Sequence, residues 1–103
     1  MEFEFKNKNL AVLYEKGKHR KYRLPEPVIK KFFMRIQQIE AARDIHDFWK
    51  TPALKFEKLQ GYENRYSLRV DRGYRLEIEM EWWNDNKTVG KVLILELSKH
   101  YGD

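Results

Sequence analysis

The hydrophobic period of this chain changes once, and that change restricts its fold more than any other feature. Between Pro25 and Ala42 the apolar residues recur at helical spacing. Val28, Phe32, Ile36 and Ile39 fall at i, i+4, i+8 and i+11, and Ile29 and Phe33 widen the stripe. Lys30, Lys31, Arg35, Gln37 and Gln38 lie off it. Beyond Gly61 the period becomes two. Tyr66, Leu68 and Val70 share one side of a strand, and Ser67 and Arg69 share the other. Tyr74, Leu76, Ile78, Met80 and Trp82 form the apolar face of a second strand, whose polar face carries Arg75, Glu77, Glu79 and Glu81. A chain that is helical first and alternating afterwards predicts helices on one face of a meander sheet, an α+β domain.

Local signals extend this frame. Phe3 and Phe5 alternate with Glu2 and Glu4, which predicts a short first strand. Asn7 to Lys16 reads as a short helix ended by Gly17, which tolerates the left-handed conformation at a helix end. Pro25 or Pro27 opens the main helix, and Asp44 caps a further turn holding Ile45, Phe48 and Trp49. Thr51 to Gly61 reads as irregular, Asp71-Arg72-Gly73 and Asn84-Asp85-Asn86 as turns. Lys91 to Leu97 is apolar apart from Glu96, the pattern of a central strand covered on both faces. The expected order is β-α-α-β-β-β: two N-terminal helices on one face of a small, mainly antiparallel four-stranded sheet, a single domain spanning residues 1–103.

Composition limits the function. With 42% hydrophobic, 15% aromatic and 36% charged residues the chain is globular rather than disordered. It has no cysteine, so disulfides and thiolate zinc sites are excluded, and a reducing compartment fits. The N-terminus has no secretory pattern, and no apolar run approaches the ~20 residues of a membrane span, which predicts a soluble cytoplasmic protein. The formal net charge is +5 and unevenly spread. Lys16, Lys18, Arg20, Lys21 and Arg23 form an acid-free run, while Glu77, Glu79, Glu81 and Asp85 form a base-free one. Such asymmetry suits an anionic partner on one side.

The chemistry-bearing residues are few. The chain contains no P-loop, no GxGxxG, no GxSxG and no metal-ligand spacing among His19, His46 and His100, so neither cofactor nor metal is indicated. If the helices cover the face bearing Leu68, Leu76 and Ile78, then Arg69 and Arg75 project side by side from the opposite face. Two adjacent guanidinium groups need a counter-charge. Glu77, Glu79 or a bound phosphate would supply it. His100 follows the last strand and titrates near neutrality, as a general acid or base must.

The ordered set Leu13-Tyr14-Glu15-Lys16-Gly17, Ala41-Ala42, Leu59-Gln60-Gly61, Tyr66-Ser67-Leu68-Arg69-Val70, Tyr74-Arg75-Leu76 and Glu96-Leu97-Ser98-Lys99-His100-Tyr101 resembles the HigB-like branch of the RelE/ParE toxins. The resemblance implies a microbial RNase-like fold and a toxin held inactive by a helix-turn-helix antitoxin. It also implies metal-independent cleavage of messenger RNA on the ribosome, in which a ribose 2′-hydroxyl attacks the adjacent phosphate. On it, Arg69 and Arg75 contact phosphate, and Lys55 and Lys58 reinforce them. His100 matches the histidine of an Asp-Tyr-His ending, and Tyr101 stacks on a base. Two departures leave the acid and base open. Glu57 or Lys58 stands where many relatives have a histidine before the glycine, and Ser98-Lys99 replaces the Asp-Tyr. Glu57 or Glu96 is then the candidate base and Lys99 the substitute cation. Lys18, Arg20 and Lys21 are expected to touch ribosomal RNA. The same fold also serves a ParE-like gyrase inhibitor, or a catalytically silent relative that binds RNA or antitoxin only.

Overall fold

Asn7 stands just before the first helix as its N-cap. Its side-chain oxygen accepts the backbone N–H groups of Asn9 and Leu10, satisfying two donors that a helix start leaves open. Its Nδ2 donates to the Tyr22 hydroxyl and to the Leu95 carbonyl, so one side chain ties helix, loop and sheet together. Asn7→Ala should therefore lose about 1–2 kcal/mol, the upper range for an N-cap. A urea melt checks this, and an unchanged midpoint would show the cap to be idle.

In the computed structural model, which describes residues 1–99, the strand β1 (Phe3–Phe5) leads into α1 (Lys8–Lys16), α2 (Glu26–Ala41) and α3 (Ile45–Trp49). A 3-10 turn (Pro52–Leu54) is followed by β2 (Glu57–Lys58), β3 (Arg65–Asp71), β4 (Tyr74–Trp82) and β5 (Gly90–Lys99). Gly17 ends α1 at φ 76°, a left-handed conformation that costs glycine little. Asp44 caps α3 by accepting the His46 N–H at 2.9 Å.

The sheet order is β1-β5-β4-β3-β2, antiparallel except for β1 beside β5. The class is the expected α+β, but there are five strands rather than four and α3 joins the helical layer. The extra strand lies in the stretch expected to be irregular. Glu57 and Lys58 pair with Ser67 and Tyr66, and two residues are too few to show an alternation. β5 also differs from expectation. It is interior, but a bulge at Leu95 resets its alternation, so Ile94 faces Ile78 and Leu97 faces Leu76. The apolar run therefore serves mainly the helical face, through Val92, Ile94 and Leu97. On the outer side Leu93, opposite Glu79, is buried and Leu95 only half-buried.

The core lies between helices and sheet. Leu10, Leu13, Phe32, Ile36 and Ile39 pack against Leu68, Val70, Leu76, Ile78, Val92 and Ile94, all essentially inaccessible. Each such side chain contributes roughly 1.5–3 kcal/mol by leaving water. Arg35, expected off the helical stripe, is buried. It sits at the seam because its guanidinium finds carbonyl partners on β3.

Candidate functional site

Among the described residues no helix packs on the other face of the sheet. By register a row runs across it from Glu57 through Ser67 and Glu77 to Glu96, and the next row from Arg69 through Arg75 to Ser98. Carboxylates and guanidiniums thus meet where β2, β3, β4 and β5 lie side by side.

The loop before β2 sets the position of Glu57. Lys55 takes a left-handed φ of 39° after the 3-10 turn, reversing the chain. Phe56 then turns inward, with its ring stacked 5.1 Å from that of Tyr66 and 5.2 Å from Phe48. Alternation sends the next side chain, Glu57, to the outer face.

Arg75 meets it there, buried to 3% exposure. Its Nε donates to Ser67 Oγ at 2.9 Å, and one Nη donates to the carbonyls of Ser67 and Lys55. Ser67 Oγ donates in turn to Glu57 Oε1 at 3.3 Å, which lies 3.7 Å from Arg75 Nε. The Glu57 side chain is 55% exposed. The result is a fixed guanidinium, a buried hydroxyl between, and a carboxylate that reaches solvent. This corrects two expectations. Arg75 is buried rather than exposed, and among the described residues it pairs with Glu57, while Glu79 pairs with Arg65 at 3.3 Å.

Arg69 stands directly opposite Arg75 on β3 and is half-buried. Behind it, Arg35 donates through Nε to the Arg69 carbonyl at 2.6 Å and through Nη1 to Gln38 at 2.9 Å. Burial first, and the Arg69 charge second, lower the Arg35 pKa from its ordinary value. Lys31, Arg35, Arg69 and Arg72 line one shallow cavity at this end of β3, together with the acidic Asp71, so the cations outnumber the acid there. Cations gathered in this way favour an anion.

The other candidates fall in different places. Lys55 joins the site through its carbonyl, while its side chain is exposed. Lys58 alternates away from Glu57, toward a shallow pocket with Leu59 and Tyr62. Lys99 is exposed at the end of β5 and opposes Tyr74, one step out of phase with Ser98 and Arg75. His100 and Tyr101 lie outside the described residues. Lys18, Arg20 and Lys21 are exposed on the loop between α1 and α2, where the Lys21 N–H donates to His19 Nδ1 at 3.0 Å. Among the described residues no group of three His, Cys, Asp or Glu could hold a metal ion, and no helix is long and apolar enough to cross a membrane.

Ser67 and Arg35 are the site residues that sequence reasoning missed. Ser67 lies ten positions from Glu57 and eight from Arg75 in the chain. The available signal was the polar alternate position beside Arg69 on β3.

The chain matches the family model described as the RelE-like toxin of the type II toxin-antitoxin system HigB, over residues 3–94, and it belongs to that HigB-like toxin family. Among solved structures it is similar to a YoeB/ParE toxin from Agrobacterium tumefaciens, with TM-score 0.59 and 16% identity over 98% of this chain and 100% of that one. It is also similar to the YoeB dimer from Staphylococcus aureus, with TM-score 0.55 and 18% identity over 98% of each chain. A third is the YoeB-YefM complex from the same organism, with TM-score 0.52 and 20% identity over 98% of each chain. At these identities the likeness is one of fold. No curated protein matched the chain.

Proposed function

We propose that this toxin is a ribosome-dependent messenger RNA endonuclease that inhibits translation in the cytoplasm and is held in check by a helix-turn-helix antitoxin. The observation that carries the reading is the Glu57–Ser67–Arg75 constellation beside Arg69 on the open sheet face.

Cleavage without a metal needs a base for the 2′-hydroxyl, cations for the phosphorane and an acid for the departing 5′-oxygen. Glu57 is the base. It accepts the 2′-hydroxyl proton while the 2′-oxygen forms its bond to phosphorus. Ser67 and Arg75 hold the carboxylate in place as positioning residues. Arg69, with Arg75 and Lys55 beside it, stabilises the charge that builds on the phosphoryl oxygens. As the bond from phosphorus to the 5′-oxygen breaks, His100 delivers the proton, with Lys99 next to it as a supporting cation. The products are a 2′,3′-cyclic phosphate and a 5′-hydroxyl end. Tyr101 stacks on a base, and Lys58, Lys18, Arg20 and Lys21 contact RNA phosphates, so ribosome binding weakens steeply with salt.

The test is 5′-end mapping of a defined message on purified programmed ribosomes, with wild type and His100→Ala. Wild type should cut in the decoding-site codon, and His100→Ala should slow the cut about 10²-fold, the lower range for a general acid. A full-rate cut by His100→Ala would move the acid role to Lys99. No cut by folded wild type, with gyrase inhibited instead, would replace this reading by the ParE-like one. No effect on either target would leave a silent relative.

A further inference from the structure

The outer edge of β3 is covered for only two residues. β2 pairs with Tyr66 and Ser67, and from Leu68 to Asp71 that edge has no neighbouring strand among the described residues. A guanidinium takes the place of the strand. Arg35, buried on α2, donates through Nε to the Arg69 carbonyl at 2.6 Å and through Nη2 to the Val70 carbonyl at 3.4 Å. Its Nη1 donates to Gln38 at 2.9 Å. Among the described residues these bonds use three of the five N–H donors that a guanidinium carries.

A cavity of about 350 Å³ opens beside this guanidinium. Lys31 and Arg35 line it from α2, Ala53 from the 3-10 turn, and Arg69, Asp71 and Arg72 from the end of β3 and the turn after it. Lys31 and Arg72 are exposed, and neither forms an ion pair among the described residues. The one acid, Asp71, accepts the Gly73 N–H at 2.9 Å and is tied to the turn. The Arg69 charge acts against that of Arg35, and an anion in the cavity relieves the repulsion.

We infer that this cavity is a second phosphate site, which takes the phosphodiester one nucleotide away from the one that reacts. The inference rests on the nuclease reading. Two features select the occupant. Donors reach the cavity from α2, from β3 and from the turn, so they surround a ligand instead of facing it in one plane. The oxygens of a phosphate group point in several directions and meet all three. A carboxylate offers two oxygens in a plane and matches a single fork. Arg69, moreover, borders the cavity and also stands opposite Arg75. The cavity therefore continues the reaction position, and a strand with one charge per nucleotide fills both in one register.

The experiment uses full-length toxin without ribosomes, titrated with 2′-O-methyl uridine oligonucleotides and followed by NMR. These probes have no 2′-hydroxyl to attack and cannot be cut. The dinucleotide carries one phosphodiester and the trinucleotide two. The trinucleotide should bind about tenfold tighter, and its affinity should fall more steeply with salt, by a slope of about 0.7, that of one phosphate in a single strand. Replacing either of its linkages by an uncharged methylphosphonate should return the affinity to that of the dinucleotide. The double variant Lys31→Gln, Arg72→Gln, at exposed positions, should remove the gain and leave dinucleotide affinity within about twofold of wild type.

A gain of roughly twofold or less, the statistical factor when two linkages compete for one site, would overturn the inference. So would a gain that survives in the double variant, or the failure of both probes to bind at low salt. Inorganic phosphate that shifts the cavity signals at lower concentration than the trinucleotide would give the cavity to a free anion instead. A gain present while programmed ribosomes go uncut would strike the nuclease reading alone. A gain absent while cutting is intact would strike this inference alone.

Discussion

Glu57→Gln should slow cleavage on programmed ribosomes about 10³-fold while leaving the protein as stable as wild type to within about 0.5 kcal/mol. The two parts of this expectation have separate causes. The glutamine amide is close to isosteric with the carboxylate, and its oxygen can still accept from Ser67 Oγ. What it cannot do is take a proton at neutral pH. Stability changes little because the Glu57 side chain is 55% exposed, and an ion pair that reaches solvent contributes little. The loss should exceed that of His100→Ala because the proposed acid has a neighbouring cation, Lys99, to share its task. Among the described residues the base has no such partner at the same point of the sheet: Glu77 and Glu96 continue its row from β4 and β5. Single-turnover rates together with a urea melt give both quantities. A full-rate Glu57→Gln variant would pass the base role to Glu96.

Arg75→Ala should behave in the opposite way, failing first as a folded protein. Its guanidinium is almost fully buried and bonds Ser67 Oγ, the Ser67 carbonyl and the Lys55 carbonyl. Truncation removes these bonds together and leaves a void where the fork sat. Hydrogen bonds to a charged group contribute about 1.5–3 kcal/mol, and acceptors left dry add to the loss. A destabilisation of about 2–4 kcal/mol follows, against a total of roughly 5–15 kcal/mol for a domain. With a urea slope of about 1–3 kcal/mol per molar, the midpoint should fall by more than about 1 M. Arg75→Lys should recover part of this, since it keeps the charge but not the planar fork. A midpoint for Arg75→Ala within experimental error of wild type would show that the buried fork is not structural. It also follows that loss of growth arrest in Arg75→Ala is informative about catalysis only beside a melt.

These two residues mark how far the sequence could be read. The pairing of Arg69 with Arg75 was legible, because the turn at Asp71-Arg72-Gly73 and the alternation on both sides leave little freedom of register. Their environment was not. A charged side chain on the polar face of a strand reads as solvent-exposed. Nothing local shows that the loop after the 3-10 turn will close over it. Arg35 misled for the same reason, since its partners are carbonyls 34 and 35 positions away. The two-residue β2 was hidden because it borrows its conformation from β3. The bulge at Leu95 shows in the sequence only as an apolar run one residue longer than alternation requires.

By itself, then, the sequence determined what depends on neighbours along the chain. The helical stripe of α2, the alternation of β3 and β4, the cap at Asp44 and the stop at Gly17 all rest on spacings within a few residues. The tertiary structure alone decided which charges are buried and which carboxylate meets which cation. Burying a guanidinium is tolerable only where several acceptors converge on it. For Arg75 those acceptors come from positions eight and twenty residues distant, brought together by the packing of β2 against β3.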